Sequence, residues 1–192
     1  MDDIETTRLI LRRLGPDAIQ AGLSGDLGTL EGHLGASVPV DLLQDPAVLR
    51  YAQEQLVADA DYLPWSARAI VLKDSMQMVG HVRFHSRPNP DYLRPYASNA
   101  VEFGYVVFAA YRRRRYAEET LAGLMQWARE GHGVSRFIVT IAPDNLPSRN
   151  LAAKFGFRKI AEHVDAIDGA EDVYLRDATV RPRTAAGSRR SS

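Results

Sequence analysis

The sequence predicts an α/β fold in which a mixed, mostly antiparallel sheet of six or seven strands is flanked by helices. Two apolar runs of strand length, Val101 to Ala110 and Phe137 to Ala142, enclose the clearest amphipathic pattern of the chain, from about Arg115 to Glu130. Elsewhere, short apolar runs come in pairs separated by turn residues, which is typical of antiparallel hairpins. The 192 residues are enough to bury one sizeable core.

The first third of the chain holds one strand and the least regular helices. Thr6 to Leu14 is rich in residues that favour a strand, and Gly15-Pro16 ends it. Glycines recur between residues 17 and 34, so any helix there is short or broken. A longer helix is predicted from Asp45 to Tyr62, with Asp45 as its N-cap and Pro46 at its first helical position.

The middle of the chain is predicted to form strands that lead into the amphipathic helix. Ala67 to Lys73 and Met76 to His85 form an antiparallel pair across the turn Asp74-Ser75. Prolines recur in Arg87 to Ser98, which predicts a loop. Ala100 to Phe108 is then a strand.

The C-terminal part closes the sheet. Gly131-His132-Gly133 ends the amphipathic helix, while Pro147 and Gly156 bracket a short one. The remaining predicted elements are a strand at Phe137 to Ala142, a helix at Ser148 to Phe155, and strands at Phe157 to Val164 and Asp172 to Asp177 around an acidic turn with Asp168-Gly169.

Composition limits the classes of partner. Lys+Arg and Asp+Glu are equal at 24 each, which argues against a nucleic-acid or membrane partner. The absence of cysteine excludes disulfides, thiolate metal sites and a cysteine nucleophile. Met1 to Glu5 lacks the features of a signal peptide, and no apolar run could span a bilayer. We expect a cytoplasmic monomer or homodimer with one domain over residues 1–177 and a disordered basic tail over 178–192.

The turn between the strand at 100–108 and the amphipathic helix is a candidate anion site. It reads Tyr111-Arg112-Arg113-Arg114-Arg115-Tyr116-Ala117. The first N–H groups of a helix have no partner within it, so a phosphate binds well there. An ordinary solvated basic turn is the alternative. That alternative suits Arg113 and Arg114 best.

Several ordered motifs between about residues 6 and 177 carry a family resemblance. They are Val101 to Val107, Arg112 to Ala117, Glu119, Asn145 to Ser148 and Lys154 to Phe157. Together they resemble the GNAT superfamily of acyl-coenzyme A dependent N-acyltransferases, and most of all its RimJ/RimL-like branch. The resemblance implies a sheet that is splayed between the strands at 100–108 and 137–142. It also implies an N-acetyltransferase that uses acetyl-CoA as co-substrate, needs no metal, and acts on an amine of a peptide or small molecule by direct attack.

The coenzyme A motif of that family is Gln or Arg, two variable residues, Gly, one variable residue, then Gly or Ala. Here it reads Arg112-x-x-Arg115-x-Ala117. By resemblance, N–H groups from Arg112 through Arg114, Arg115 and Tyr116 to Ala117 hold the pyrophosphate. Arg115 stands where the family has glycine, which permits close approach and unusual backbone angles. Its side chain either points outward and leaves the N–H groups free, or fills the loop and blocks the cofactor.

The resemblance also implies catalytic roles. Glu102 is the candidate base for the amine's proton, or else a strand carboxylate paired with a nearby Arg or His. The N–H around Val107 is the candidate donor to the thioester oxygen. Ala152 replaces a tyrosine acid that is common in the family, so Ser148 is the candidate for protonating the thiolate, or else a helix cap. Asn145 either bonds the pantetheine arm or caps the same helix.

Other functions have less support. A catalytically degenerate domain could bind an anionic partner, such as RNA or an acidic protein, through Arg112–Arg115 and the tail. His81 and His85 lie four apart on one strand face, but no third ligand stands nearby, so we expect no metal site. Tyr105 and Tyr116 could line a site, although aromatic residues in such positions more often pack. No Gly-x-Ser-x-Gly motif supports a serine hydrolase.

Overall fold

A single eight-stranded sheet organises the molecule, which is represented by a computed structural model that describes residues 3–165 and 169–179. The strand order is β1-β2-β3-β4-β5-β6-β8-β7. The strands are β1 (Ile4–Glu5), β2 (Leu9–Arg13), β3 (Arg68–Leu72), β4 (Met78–Phe84), β5 (Ala100–Val107), β6 (Arg136–Ile141), β7 (Arg158–Asp165) and β8 (Gly169–Asp177).

Helices cover both faces of this sheet. They are α1 (Pro16–Ser24), α2 (Leu27–Leu34), α3 (Val40–Gln44), α4 (Ala47–Ala58), α5 (Tyr116–His132) and α6 (Leu146–Lys154), with 3-10 turns at Ala60–Trp65, Asp91–Leu93 and Ala109–Tyr111. On one face, Leu121 and Leu124 of α5 pack with Phe103 of β5. On the other, Leu30 of α2 and Leu49 of α4 pack in a second core cluster.

The parallel pair β5 and β6 is where the sheet opens. Every other neighbouring pair of the described strands is antiparallel, as predicted. β5 pairs with β6 only from Ala100↔Arg136 to Glu102↔Ile138. Beyond Glu102, β5 remains paired with β4 as far as Val107↔Gly80 but has no partner on its β6 side. The predicted splay between these two strands is therefore confirmed.

The helix α5 follows its sequence pattern closely. Leu121, Leu124, Met125 and Ala128 are buried, as the 3.6-residue period requires. Gly133 ends the helix with a left-handed φ of 65°, and its N–H donates to the carbonyl of Arg129. The end at His132 lies two residues beyond the predicted Glu130.

Several predicted boundaries were wrong. The sheet has one strand more than the predicted maximum, because the two-residue strand β1 pairs with β2 and is too short to leave a sequence pattern. The helix predicted over 45–62 is α4 followed by a separate 3-10 turn that contains Pro64. Asp45 is the C-cap of α3, although its Oδ1 still accepts from Ala47 N–H at 3.2 Å. Pro46 therefore precedes the helix rather than beginning it.

Two predictions concern residues outside the described ones. The turn residue Asp168 lies outside them, and so does most of the predicted tail, from residue 180 on. Ala178 and Thr179 are described, and Ala178 N–H donates to the carbonyl of Ser135. Within the described residues, no helix combines the length and the apolar character that crossing a membrane would need.

Candidate active site

The opening of the sheet leaves backbone N–H groups of β5 available. The carbonyl of Glu102 accepts from His85 N–H, and Phe108 N–H donates to the carbonyl of Val79. The backbone groups of Glu102 and Phe108 therefore point toward β4. Along an antiparallel strand, successive residues direct their N–H and C=O groups to opposite sides. Val107 therefore directs its N–H to the opposite side, into the opening, where a carbonyl oxygen could accept it.

The N-terminus of α5 supplies a row of donors close to this opening. The backbone N–H groups of residues 113 to 118 have no hydrogen-bond partner among the described residues. The first bond of this region is that from Glu119 N–H to the carbonyl of Arg115, at 3.2 Å. The row stands at the positive end of a 17-residue helix. The free N–H groups and the positive end of the helix both favour the binding of an anion.

Arg115 occupies the glycine position of the motif with the backbone conformation of a glycine. Its φ of 64° and ψ of 18° lie in the left-handed region. The guanidinium donates from Nε to Glu118 Oε2 at 3.0 Å and from Nη2 to Glu118 Oε1 at 2.8 Å. It makes no capping bond to the helix N-terminus. The side chain, 72% exposed, thus binds Glu118 and leaves the N–H row free.

The other loop arginines are separately engaged. Arg112 donates from Nε to the carbonyl of Val107 at 3.0 Å, which ties the loop to the end of β5. Arg114 lies 6.0 Å from the ring centroid of Tyr111. Its carbonyl accepts from the guanidinium of Arg8 at 3.2 Å. Arg112, Arg114 and Arg115 therefore each make a separate contact around the loop.

Glu119 anchors the N-terminal segment to α5. Its carboxylate accepts from Thr6 Oγ1 and from Arg8 N–H, each at 2.6 Å, and from Arg8 Nε at 2.7 Å. Partial burial would raise the pKa of Glu119, but these bonds outweigh it and lower the pKa. The guanidinium of Arg8 also lies 4.9 Å from the ring centroid of Tyr116. The start of α5 is therefore fixed by the N-terminal strands.

The start of α6 brings Asn145, Ser148 and Tyr105 together. Asn145 is the N-cap, and its Oδ1 accepts from Ser148 N–H at 3.2 Å. This is the capping interaction that the sequence offered as an alternative role for Asn145. Ser148 Oγ accepts from the hydroxyl of Tyr105 at 3.3 Å. Burial raises the pKa of Tyr105, and the bond to Ser148 lowers it by less. Tyr105 thus stays a protonated donor beside the serine.

Glu102 lies buried, 6% exposed, where the pairing of β5 with β6 ends. Its Oε1 accepts from Thr140 Oγ1 at 2.9 Å, and its Oε2 lies 3.4 Å from His85 Nδ1. Tyr92 also helps to lower the pKa of Glu102. Burial would raise the pKa of Glu102, but the hydrogen bonds and the nearby His85 outweigh it and lower the pKa.

A cleft of about 680 Å³ opens on the face of β5 that carries Gly104 and Val106. It is bounded by β4, the α3–α4 region and the end of β5, and one residue of β8 contributes to it. Its charged and imidazole side chains are those of Asp41, Asp45, His81, Arg83, Arg112 and Glu171. Burial lowers the pKa of His81 to about 4. This cleft is large enough for a small amine or the end of a peptide.

Sequence reasoning placed the motif residues at this opening but missed part of the site. Val107, Arg112 and Ser148 come near the same end of β5. The sequence allows Tyr105 to line a site or to pack, and the structure brings it to Ser148. The sequence also allows Glu102 to pair with an Arg or a His, and the structure identifies His85 as that partner. No cluster of three or more metal-ligating side chains occurs in the described residues. The pairing of His85 with Glu102 depends on strand register, which no local motif reveals.

A sheet that opens beside a row of free N–H groups is the arrangement that the family resemblance implies. The chain belongs to the GNAT family. The family model described as "Acetyltransferase (GNAT) domain" matches residues 31–158, more than half of the chain.

Relatives and solved structures agree with this assignment. Two uncharacterised N-acetyltransferases of Bacillus subtilis (strain 168) are similar: YnaD, 24% identical over 47% of this chain, and YjdG, 29% identical over 56%. The matched regions span about half the length of these relatives, 48% and 60%.

Among solved structures, the fold matches that of a ribosomal-protein-S5-alanine acetyltransferase from Vibrio fischeri. The TM-score is 0.63 at 16% identity, over 93% of this chain and 97% of the other. It also matches the microcin C7 self-immunity acetyltransferase MccE, which was solved with acetyl-CoA and AMP. There the TM-score is 0.60 at 14% identity, over 89% and 93% of the chains.

Proposed function

We propose that this protein transfers an acetyl group from acetyl-CoA to a primary amine by direct attack, without a covalent enzyme intermediate. The observation that carries the proposal is the row of free N–H groups at residues 113 to 118, beside the opening between β5 and β6. Membership in the GNAT family supports it.

On the donor side, each part of acetyl-CoA has a matching group. The N–H groups of the loop, including those of Arg114, Arg115, Tyr116 and Ala117, suit the pyrophosphate. Arg112 supports that loop through the carbonyl of Val107. Because Oδ1 of Asn145 already caps α6, its Nδ2 is the group that remains for the pantetheine arm.

On the reaction side, three groups have separable tasks. The N–H of Val107 would stabilise the oxyanion that forms when the amine attacks the thioester carbonyl. Ser148, with Tyr105 donating to its hydroxyl, would return a proton to the departing thiolate. Glu102 would take part in removing the amine's proton, since it stands where the sheet opens.

For the acceptor, we propose an amine of a peptide N-terminus or a small molecule that enters the cleft. The V. fischeri structure carries the name of an enzyme that acts on an alanine of a ribosomal protein. The three carboxylates of the cleft, on Asp41, Asp45 and Glu171, are compatible with a positively charged amine.

The test is an acetylation screen of the full chain with acetyl-CoA. The amines are an alanine-initiated hexapeptide, a serine-initiated hexapeptide and spermidine, with release of free thiol as the readout. We expect at least one amine to give saturable turnover that Ser148→Ala reduces. A wild-type chain that binds coenzyme A but acetylates none of these amines would contradict the proposed acceptor class, and a chain that does not bind it would contradict the activity itself.

A further inference from the structure

His85 and Glu102 form a side-chain pair beside the cleft. Nδ1 of His85 lies 3.4 Å from Oε2 of Glu102. The backbones are also joined, because His85 N–H donates to the carbonyl of Glu102 at 2.9 Å. Directly opposed residues of antiparallel strands place their side chains together on one face. The sheet itself therefore holds the two groups in contact.

Glu102 has little capacity left to act as a base. Thr140 hydrogen-bonds its carboxylate, and Nδ1 of His85 lies 3.4 Å from Oε2. These two groups and Tyr92 favour the charged form, and the pKa of Glu102 is lowered in spite of its burial. A carboxylate that is held ionised in this way accepts a further proton poorly.

The imidazole of His85, by contrast, has its second nitrogen next to Gly104. The position that a Cβ of Gly104 would occupy lies 3.1 Å from His85 Nε2. Gly104 lines the cleft. Nε2 has no hydrogen-bond partner among the described residues, and the side chain of His85 is 23% exposed. The absence of a side chain at Gly104 leaves room for the ring.

Building on the proposed acetyl transfer, we propose that His85 is the catalytic base that takes the proton of the acceptor amine through Nε2, and that Glu102 is the positioning residue that orients its ring. An ionised carboxylate at Nδ1 keeps the proton on that nitrogen and leaves the lone pair on Nε2. Histidine also changes charge near neutral pH, where a base for an ammonium group works best.

The proton balance of the reaction follows from this assignment. Nε2 takes one proton from the ammonium group through water, because Gly104 and Val107 lie about 10 Å apart along β5. The neutral nitrogen then forms a bond to the carbonyl carbon. The C–S bond then breaks, and its electron pair stays on sulfur. The second proton of the amine nitrogen passes to the thiolate through the Ser148–Tyr105 pair. His85 finally releases its proton to solvent, so that the products are an amide, free coenzyme A and one proton.

The pH dependence of kcat separates His85 from Glu102 as the base. For the best amine of the screen, we expect wild-type kcat to rise with pH through an inflection. His85→Gln abolishes this inflection and lowers kcat about 10²- to 10⁴-fold at pH 7. The loss shrinks at pH 9.5 and above, where more of the amine is already neutral. KM for acetyl-CoA should stay within about twofold.

Glu102→Gln should keep the inflection but lower kcat, because the imidazole loses the partner that orients its ring. Tyr51 packs against the ring of His85, Arg83 lies over the ring of Tyr51, and Tyr92 lies near Glu102; none of these three residues changes in these variants. His33→Gln, on the exposed surface of α2, is the matched control and should behave as wild type.

A second measurement needs no acceptor. Long-range ¹H–¹⁵N spectra of the wild-type chain at pH 8 should show His85 as the Nδ1–H tautomer, and Glu102→Gln should weaken that preference. An Nε2–H tautomer, or a His85→Gln variant that retains the inflection, would overturn the assignment while leaving acetyl transfer intact. Wild-type protein that acetylates no amine would instead overturn the proposed function on which the assignment rests.

Discussion

At the scale of single residues, Arg115 decides how the coenzyme A motif is to be interpreted. Its left-handed backbone is the conformation for which glycine is used in such loops. A side chain in that region is strained. The pair with Glu118, which is itself bound by Lys154 of α6 at 2.8 Å, gives the side chain a place outside the N–H row. The loop thus keeps the backbone conformation of the motif, although arginine replaces its glycine.

The strain at Arg115 leads to a prediction for two variants. Arg115→Ala keeps the strained backbone and loses the pair with Glu118, whereas Arg115→Gly loses the pair but relieves the strain. We expect the glycine variant to be the more stable of the two, by roughly tenfold in the unfolding equilibrium measured with urea. Coenzyme A should bind both variants. An alanine variant as stable as the glycine variant would contradict the left-handed assignment.

Local chemistry predicted part of the site, and sheet register supplied the rest. The spacing Arg112-x-x-Arg115-x-Ala117 and the Asn145–Ser148 segment could be identified because each motif is contiguous in sequence, and the structure places both near the end of β5. The pairing of His85 with Glu102 arises from the β4–β5 ladder, and residues so far apart carry no local signature. The contact of Tyr105 with Ser148 depends in the same way on where α6 packs.

At the scale of elements, prediction succeeded where a pattern was long and failed where it was short. The boundaries of β5 and β6 were predicted to within one residue, and those of α5 to within two. These elements have strong apolar periodicity and glycine or polar boundaries. Around Asp45, by contrast, a proline follows an acidic residue, and both residues suit the end of one helix as well as the start of another. The structure uses them between α3 and α4.

The anchoring of α5 to the N-terminal strands gives an element-scale prediction. Glu119 binds Thr6 and Arg8, and its side chain is 17% exposed. Glu119→Gln should destabilise the fold by about 1–3 kcal/mol at pH 7, because the donors on Thr6 and Arg8 lose their charged partner. Glu130→Gln, on the exposed end of the same helix, is the control and should have little effect.

The effect of Glu119→Gln should depend on pH, with a sign fixed by the lowered pKa of Glu119. The folded state binds the proton of this carboxyl less readily than the unfolded state. The ionised carboxylate of Glu119 therefore stabilises the folded state at pH values above the ordinary pKa of a glutamate. This stabilisation is lost as the pH falls through the pKa of Glu119 in the folded state. Urea unfolding at pH 7 and pH 3 should show the gap between wild type and variant closing in acid. An unchanged gap would show that packing, and not charge, accounts for the loss.

At the scale of the whole molecule, the donor site joins elements that the sequence keeps far apart. The N–H row belongs to α5, the Val107 N–H to β5, and Asn145 to α6. The start of α5 depends in turn on the N-terminal strands through Glu119. The proposed site thus requires α5, α6, the N-terminal strands and the opening of the sheet together, so we expect a ligand that spans it to stabilise the fold.

This dependence predicts that intact coenzyme A and its fragments stabilise the fold to different extents. The pyrophosphate and the pantetheine arm would lie on different elements, so the covalent link makes the second contact intramolecular. Coenzyme A at a hundred times its dissociation constant should add about 2.7 kcal/mol to the free energy of unfolding. An equimolar mixture of pantetheine and 3′,5′-ADP should add far less at the same concentration.

Ala117→Pro is the matched variant for this comparison. It removes one N–H of the row in the first helical turn, where proline is tolerated, whereas Ala117→Ser keeps that N–H. We expect Ala117→Pro to weaken coenzyme A binding about tenfold or more, as the loss of a bond to a charged group implies, and Ala117→Ser to bind as wild type. Pantetheine alone should bind both variants equally, because its proposed contacts lie on β5 and α6. If Ala117→Pro bound intact coenzyme A as tightly as the serine variant, the pyrophosphate would have to be placed elsewhere than at the N-terminus of α5.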